Sequence, residues 1–137
     1  MILKRLLFIT GLLLITWGCG ESPESAYNRL VFNARTGNEA AFIKGFTPES
    51  AKLVSTMIAL RKAYGGRVRD KAEAYSNIVL EKVLSVETVD EKFEGKEHKV
   101  ANLRVTDGRR EQSIRMIKLD DGWKVDVKEI QPADRVN

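Results

Sequence analysis

The sequence is poor in the side chains that make disulfides and metal sites. It has one cysteine, Cys19, and one histidine, His98, in 137 residues. A single thiol cannot form a disulfide within the chain, so hydrophobic burial must hold the fold together. The two residues also supply too few ligands for a typical zinc site. We therefore predict no metal and no cofactor.

The chain also has little excess charge once its first 18 residues are set aside. The whole sequence carries 23 Lys and Arg against 19 Asp and Glu, a formal net charge of +4. Lys4 and Arg5 are two of the basic residues, and residues 1–18 contain no acid, so 21 basic and 19 acidic groups remain, a balance of +2. This near-neutral charge argues against a nucleic-acid partner.

Motifs for enzymatic chemistry are scarce as well. His98 lies between Glu97 and Lys99 beside a predicted turn, and no motif places a catalytic partner next to it, so a solvated edge histidine is favoured over a general base. Gly65-Gly66 lacks the lysine and hydroxyl residue of a phosphate loop, which makes helix termination the better interpretation. We assign no catalytic residue and expect no enzyme activity.

The first 18 residues have the composition of a secretory signal. Lys4 and Arg5 form a short positive start, residues 6–17 are uncharged and mostly apolar, and Gly18 is a small residue of the kind found at cleavage sites. The apolar run has twelve residues, against the roughly 20 that a bilayer-spanning helix needs. A retained transmembrane span is therefore the weaker interpretation, and residues 1–18 are predicted to be removed after export.

The end of this signal resembles the lipobox of bacterial lipoproteins, because Gly18 is followed at once by Cys19 and then by Gly20. Thr16 and Trp17 depart from the usual lipobox residues. The resemblance implies that Cys19 receives a diacylglyceryl group and anchors the chain to a membrane. It also implies the outer membrane, if the organism has one, since no acidic residue follows the cysteine. The alternative is an ordinary secretory signal, which would leave Cys19 as a free thiol.

Three helices are predicted between residues 22 and 66. Their starts carry the capping sequences Ser22-Pro23-Glu24, Asn38 and Thr47-Pro48-Glu49. Glycines at 37 and 65–66 end the first and third helices. For residues 67–76 the sequence fits two interpretations equally, a last helical turn or a linking loop. The predicted core faces are Tyr27, Leu30, Val31 and Ala34; Ala41, Phe42 and Phe46; and Val54, Met57, Ile58, Arg61 and Tyr64, widened by Leu53 and Leu60.

The second half of the chain predicts a β-meander. An acidic residue precedes glycine at Glu94-Gly95, Asp107-Gly108 and Asp121-Gly122, a pattern typical of hairpin turns. The last two pairs predict tight turns with positive φ. Such short turns force antiparallel pairing. Polar and apolar residues alternate around Ala101, Leu103 and Val105 and around Trp123, Val125 and Val127, so one face should be apolar. The four predicted strands cover about residues 78–91, 97–106, 111–119 and 123–130.

Helices followed by a one-sided meander predict an α+β domain, with three amino-terminal helices packed on one face of a curved four-stranded antiparallel sheet. The element order and the ending KLDDGWKVD resemble small lipoproteins of the nuclear-transport-factor-2-like (cystatin-like) superfamily, over about residues 22–130. The resemblance implies a cone whose mouth sometimes binds small molecules or hosts catalysis. Residues 19–22 are then a lipidated tether, 23–131 the domain and 132–137 a flexible tail.

A candidate basic patch lies on the second and third predicted strands. Its members are Arg104, Arg109, Arg110, Arg115 and Lys118, and its partner would be anionic lipid head groups. The alternative is a solvated sheet face balanced by nearby acids, namely Asp107, Glu111 and Asp120.

The sequence therefore predicts a membrane-anchored lipoprotein that acts as a binding or structural module at the bacterial cell envelope. Its exposed sheet face could equally bind another envelope protein. The rival hypothesis is a small-ligand-binding protein, or less favourably a hydrolase or isomerase, that uses the mouth of the cone.

Overall fold

The computed structural model describes residues 20–64, 78–80, 82–95, 98–127 and 134–135. The predicted signal, Cys19 and the open segment 67–76 lie outside these residues. Three helices precede an antiparallel sheet, which confirms the predicted α+β class. The elements are α1 (Pro23–Thr36), α2 (Glu39–Lys44), α3 (Pro48–Tyr64), β1 (Ser85–Glu94), β2 (His98–Thr106), β3 (Arg110–Leu119), β4 (Gly122–Val125) and β5 (Asp134–Arg135).

The helices begin at the predicted capping residues. The backbone N–H of Ser25 donates to Ser22 Oγ at 3.2 Å, and that of Ala41 donates to the side chain of Asn38 at 3.3 Å. Thr47 Oγ1 accepts in the same way from the N–H three residues on, at 3.3 Å. Each bond satisfies a backbone donor that the first helical turn would leave unpaired. Gly37 ends α1 with a φ of 68°, which confirms the predicted stop.

The sheet has the order β1-β2-β3-β4, and every neighbouring pair is antiparallel. Gly108 and Gly122 have φ values of 88° and 121°, which confirms the positive φ predicted for them, and Gly95 also has a positive φ, of 67°. β5 pairs with the first two residues of β3, inside the segment that the sequence assigned to a tail. Within the described residues the strands form an open sheet and not a closed barrel.

The predicted boundaries of the first and fourth strands are wrong. The first strand begins at Ser85, and residues 78–80 are buried without belonging to a strand. Apolar β-branched residues there reflect burial, which periodicity alone cannot distinguish from strand pairing. The fourth strand ends at Val125. The N–H of Asp126 still donates to Arg115 O on β3 at 2.9 Å, but that of Val127 donates to Ser50 Oγ at 2.8 Å. Residues 128–130 lie outside the described chain.

The core lies between the helices and the predicted apolar face of the sheet. Ala101, Leu103 and Val105 are at most 1% exposed, and Trp123 and Val125 at most 4%, as the alternation predicted. They pack in one cluster with the apolar faces of α1 and α2.

On α3 the core face is narrower than predicted. Ser50, Val54 and Ile58 form one buried row spaced by four residues, whereas Leu53 is 39% and Leu60 53% exposed. Residues four apart along a helix lie on one face, so these three side chains form one narrow stripe that meets the core. Leu53 and Leu60 lie beside this stripe and remain exposed. The two leucines therefore do not widen the buried face.

The segment that joins α2 to α3 covers the outer edge of β4. Phe46 forms a parallel bridge with Val125, since Thr47 N donates to Val125 O at 3.0 Å and Val125 N donates to Gly45 O at 2.8 Å. The ring of Phe46 also meets that of Phe42 edge-on, with centroids 5.1 Å apart. An unpaired strand edge is a site for unwanted association, and this segment occupies it.

Trp123 gives a direct test of the core. We expect Trp123→Ala to reduce the free energy of unfolding by about 3–5 kcal/mol, because a large buried ring is lost and a cavity remains. Phe32→Ala is the matched control, since Phe32 is 63% exposed and its truncation should change stability little. Chemical denaturation of both variants measures the difference. Equal stability of the two variants would contradict the assigned core.

Candidate functional site at the Gly20 end of the sheet

One end of the sheet lies beside the first described residue. It is the end where β1 and β3 finish and where β2 and β4 begin. A Cβ atom placed on Gly20 would lie 3.7 Å from Lys118 Nζ, near the end of β3. Covalent geometry keeps the Cα of Cys19 about 3.8 Å from that of Gly20. The predicted lipid attachment residue therefore adjoins this end, which we call the Gly20 end.

Two side-chain contacts fix the chain where it enters α1. Arg29 Nη1 forms an ion pair with Glu21 Oε1 at 2.6 Å. Thr88 Oγ1, on β1, donates to Glu24 Oε1 at 2.5 Å. This hydrogen bond is the main reason why the pKa of Glu24 lies below its ordinary value. The first turn of α1 is thereby tied to the sheet as well as to its own second turn.

At the Gly20 end, the last row of side chains on the helix-covered face has an unusual composition. Phe93 stands opposite Lys99, and Lys118 opposite Trp123; continuing the β2–β3 register by one residue brings the two lysines opposite each other. We call these four residues the end row. Trp123 is buried, but Phe93 is 69% exposed at the other side of the sheet.

The two charged side chains of the end row are both lysines, and only one of them is paired with a carboxylate. Lys99 Nζ forms an ion pair with Glu91 Oε1 at 2.7 Å. Lys118 is exposed and forms no ion pair within the described part of the chain. Like charges directly opposite each other on neighbouring strands destabilise a sheet, so this pair of ammonium groups favours an anion nearby.

A depression open to solvent adjoins Lys118. It has a volume of about 750 Å³ and is lined by His98, Lys118, Leu119, Asp120 and Asp121. His98 is exposed as the first residue of β2, as predicted. Asp121 forms an ion pair with Lys124 at 3.2 Å. Among the described residues, no three His, Cys, Asp or Glu side chains are grouped so that they could hold a metal ion.

Three of the four arginines of the candidate basic patch are paired with carboxylates, whereas Arg109 is exposed and forms no ion pair within the described residues. Arg104 Nε lies 3.4 Å from Glu111 Oε1 and its Nη1 3.9 Å from Glu87 Oε2. Arg110 Nε lies 3.2 Å from Asp107 Oδ2. Pairs that are this exposed contribute little to stability, but they neutralise the face. For these arginines the geometry agrees with the alternative of a balanced, solvated sheet face.

Arg115 has the most extensive ion pairing of the five. Its guanidinium donates two hydrogen bonds to the carboxylate of Glu94 on β1, at 2.8 and 2.5 Å, and its Nε donates to Asp126 Oδ2 at 3.0 Å. The hydrogen bonds to Glu94 are the main reason why the pKa of Arg115 is raised. Arg115 thus links β3 to β1 on the face opposite the helices. Of the five residues of the candidate basic patch, only Lys118 belongs to the end row.

Sequence reasoning missed Phe93. The first strand was predicted to end at residue 91, which placed Phe93 in the turn, whereas β1 continues to Glu94. The available signal was the two-residue spacing of Glu91 and Phe93, which places both side chains on one face of a strand. That face is the helix-facing side of β1, which continues to the turn at Gly95.

Comparison with known proteins identifies no relative: no protein-family model matches the chain, and neither a curated protein nor a solved structure does. The helices that the structure describes include none of the length and apolar character needed to span a bilayer.

The contact between Glu24 and Thr88 predicts a pH dependence. A carboxylate whose folded pKa is depressed stabilises the fold above its unfolded pKa, and this stabilisation is lost as the pH falls through the folded pKa. We expect Thr88→Val to reduce the free energy of unfolding at pH 7 by under about 1 kcal/mol, since the partly exposed contact is screened by solvent. The deficit should shrink below the ordinary pKa of 4.5.

Denaturation of wild type and variant at several pH values measures this deficit. In a Glu24→Gln background, the effect of Thr88→Val should become independent of pH, because no carboxylate remains to titrate. A deficit in the Glu24 background that stays constant from pH 7 to below the pKa would contradict the assigned interaction.

Proposed function

We propose that this chain is a bacterial lipoprotein anchored through a diacylglyceryl group on Cys19, and that its α+β domain acts as a binding or structural module at the cell envelope. The observation that carries the proposal is the position of the lone cysteine, directly after an apolar signal-like segment. The structure is compatible with such an anchor, since Gly20 is exposed at one end of the sheet. Only residues 20–22 separate Cys19 from α1.

Two acyl chains make this anchor stable. Each buried methylene contributes about 0.8 kcal/mol, so one chain binds a membrane only marginally whereas two hold a protein there. No transmembrane helix is then needed to keep the domain at the membrane.

Two described carboxylates, Glu24 and Asp107, have structural roles and not catalytic ones. The pKa values of Glu24 and Asp107 are lowered, the first by the Thr88 hydroxyl and the second by the backbone N–H groups of Arg109 and Arg110. A general acid at neutral pH needs a raised carboxyl pKa instead. Both carboxylates act as hydrogen-bond acceptors that fix local structure, which supports a domain without catalytic chemistry.

A second candidate, a small-ligand-binding protein, is favoured by one observation in the core. Tyr27 is fully buried on α1, and among the described residues neither its hydroxyl nor the buried Oε1 of Gln112 has a hydrogen-bond partner. Burial raises the pKa of Tyr27, which keeps the phenol protonated and able to donate. A small polar ligand could accept that hydrogen bond in an otherwise apolar interior.

Tyr27→Phe separates the two candidates. Without a ligand, the substitution should leave stability unchanged or raise it, because a buried unsatisfied hydroxyl costs about 1–3 kcal/mol. Thermal unfolding of the protein as isolated and after unfolding and refolding, for wild type and variant, makes the measurement. If the protein as isolated holds a ligand, Tyr27→Phe should lower its melting temperature. After unfolding and refolding, which removes a bound small molecule, the substitution should no longer lower it. Only a ligand-binding protein would show this difference.

Cys19→Ser tests the anchor. The wild type should incorporate labelled fatty acid and sediment with membranes, and the variant should do neither through this residue because the acceptor sulfur is absent. The double variant Cys19→Ser/Ser25→Cys is the matched control, since it restores one thiol at an exposed position on α1. It should remain unlabelled. A wild type that takes up no label and is recovered as a soluble exported protein would refute the proposal.

A further inference from the structure

We propose that the end row is a lipid-contact surface on which the domain rests, with Phe93 in the membrane interface and the ammonium groups of Lys99 and Lys118 at the level of the lipid phosphates. This inference depends on the proposed lipid anchor at Cys19. It adds to that anchor a defined orientation of the domain.

The position of Gly20 limits which surface can meet the membrane. A lipidated Cys19 must place its sulfur at the bilayer, and Gly20 is the next residue along the chain. A Cβ on Gly20 would lie 3.7 Å from Lys118 Nζ, and the Thr88–Glu24 hydrogen bond ties the start of α1 to the sheet. Because only residues 20–22 separate Cys19 from α1, this connection keeps the Gly20 end close to the lipid head groups.

Phe93 supplies an apolar contact at this end. Its side chain is 69% exposed, although it lies on the helix-covered face of β1 two residues from Glu91. Aromatic side chains are enriched where a protein meets the boundary between head groups and acyl chains. Phe32 is similarly exposed at 63%, but it lies nine residues into α1, about 14 Å along the helix axis from Pro23.

The charges of the end row suit a surface that contains anionic lipid. The β2–β3 register, extended by one residue beyond Val100 and Ile117, sets Lys99 opposite Lys118, and Glu91 forms an ion pair only with Lys99. A lipid phosphate near Lys118 would relieve the repulsion between the two ammonium groups. Asp120 and Asp121 lie on the β3–β4 turn, where anionic lipid would repel their carboxylates. We therefore expect Phe93 to approach the membrane more closely than the β3–β4 turn does.

The test places a tryptophan probe at each exposed phenylalanine of the lipidated protein. Phe93→Trp and Phe32→Trp are reconstituted into phosphatidylcholine–phosphatidylglycerol vesicles that contain a lipid with a nitroxide quencher near the head group. Trp123 is common to both variants, and its signal in the wild type is subtracted. We expect several-fold stronger quenching at position 93 than at position 32.

Lys118→Glu should reduce the quenching at position 93 in these anionic vesicles. The matched control is Arg109→Glu, the same change of charge at an exposed residue of the β2–β3 turn, at the opposite end of the sheet; it should leave the quenching unchanged.

Each outcome separates the inference from the proposed function. Lipidated protein in which positions 93 and 32 are quenched equally would overturn the inference and leave the anchor intact. A blue-shifted emission at position 93 without lipid quenching would mean that Phe93 contacts protein, in a second copy or an envelope partner, and would also overturn it. Absence of the lipid on Cys19 would refute both.

Discussion

The fold depends on a backbone contact at Val125, where the segment between α2 and α3 pairs with the β3–β4 hairpin. We call this contact the joint. The two backbone hydrogen bonds between Val125 and residues 45 and 47 occupy the outer edge of a strand that is only four residues long. Two residues further along the chain, Ser50 Oγ donates to Val127 O at 3.2 Å and accepts from its N–H. In a chain without disulfides, these bonds determine where α3 begins and how the aromatic rings of the core meet the sheet.

From this joint, α1 extends the constraint to the opposite side of the domain. A Cβ on Gly45 would clash with the buried side chain of Leu30 in the middle of α1, so a glycine at position 45 lets the two segments pack this closely. Near its start, α1 is held by the hydrogen bond between Glu24 and Thr88. These two contacts hold α1 against the rest of the domain, and Gly20 lies three residues before the first residue of the helix.

The sequence predicted those features that arise from local chemistry. Capping residues such as Ser22 predicted helix starts, because their side chain bonds the first free N–H groups. Glycines such as Gly122 predicted turns, because a residue without a side chain adopts positive φ easily. Features that depend on distant packing were not predictable. Leu53 fits an apolar helical face, yet it is 39% exposed, since only the row of Ser50, Val54 and Ile58 meets the rest of the core.

The same distinction applies to the candidate site. Charge counting grouped five basic residues along two strands, but it could not show that Arg115 reaches across to Glu94 on β1 and to Asp126 after β4. Nor could it place Lys118 on the opposite face, in one row with Phe93. If Cys19 carries the lipid, the Gly20 end faces the membrane and the β2–β3 turn faces away from it. That turn is held rigid by Asp107 Oδ1, which accepts the N–H groups of Arg109 and Arg110 at 2.8 and 2.7 Å, so a partner approaching from the aqueous side would meet a preformed surface.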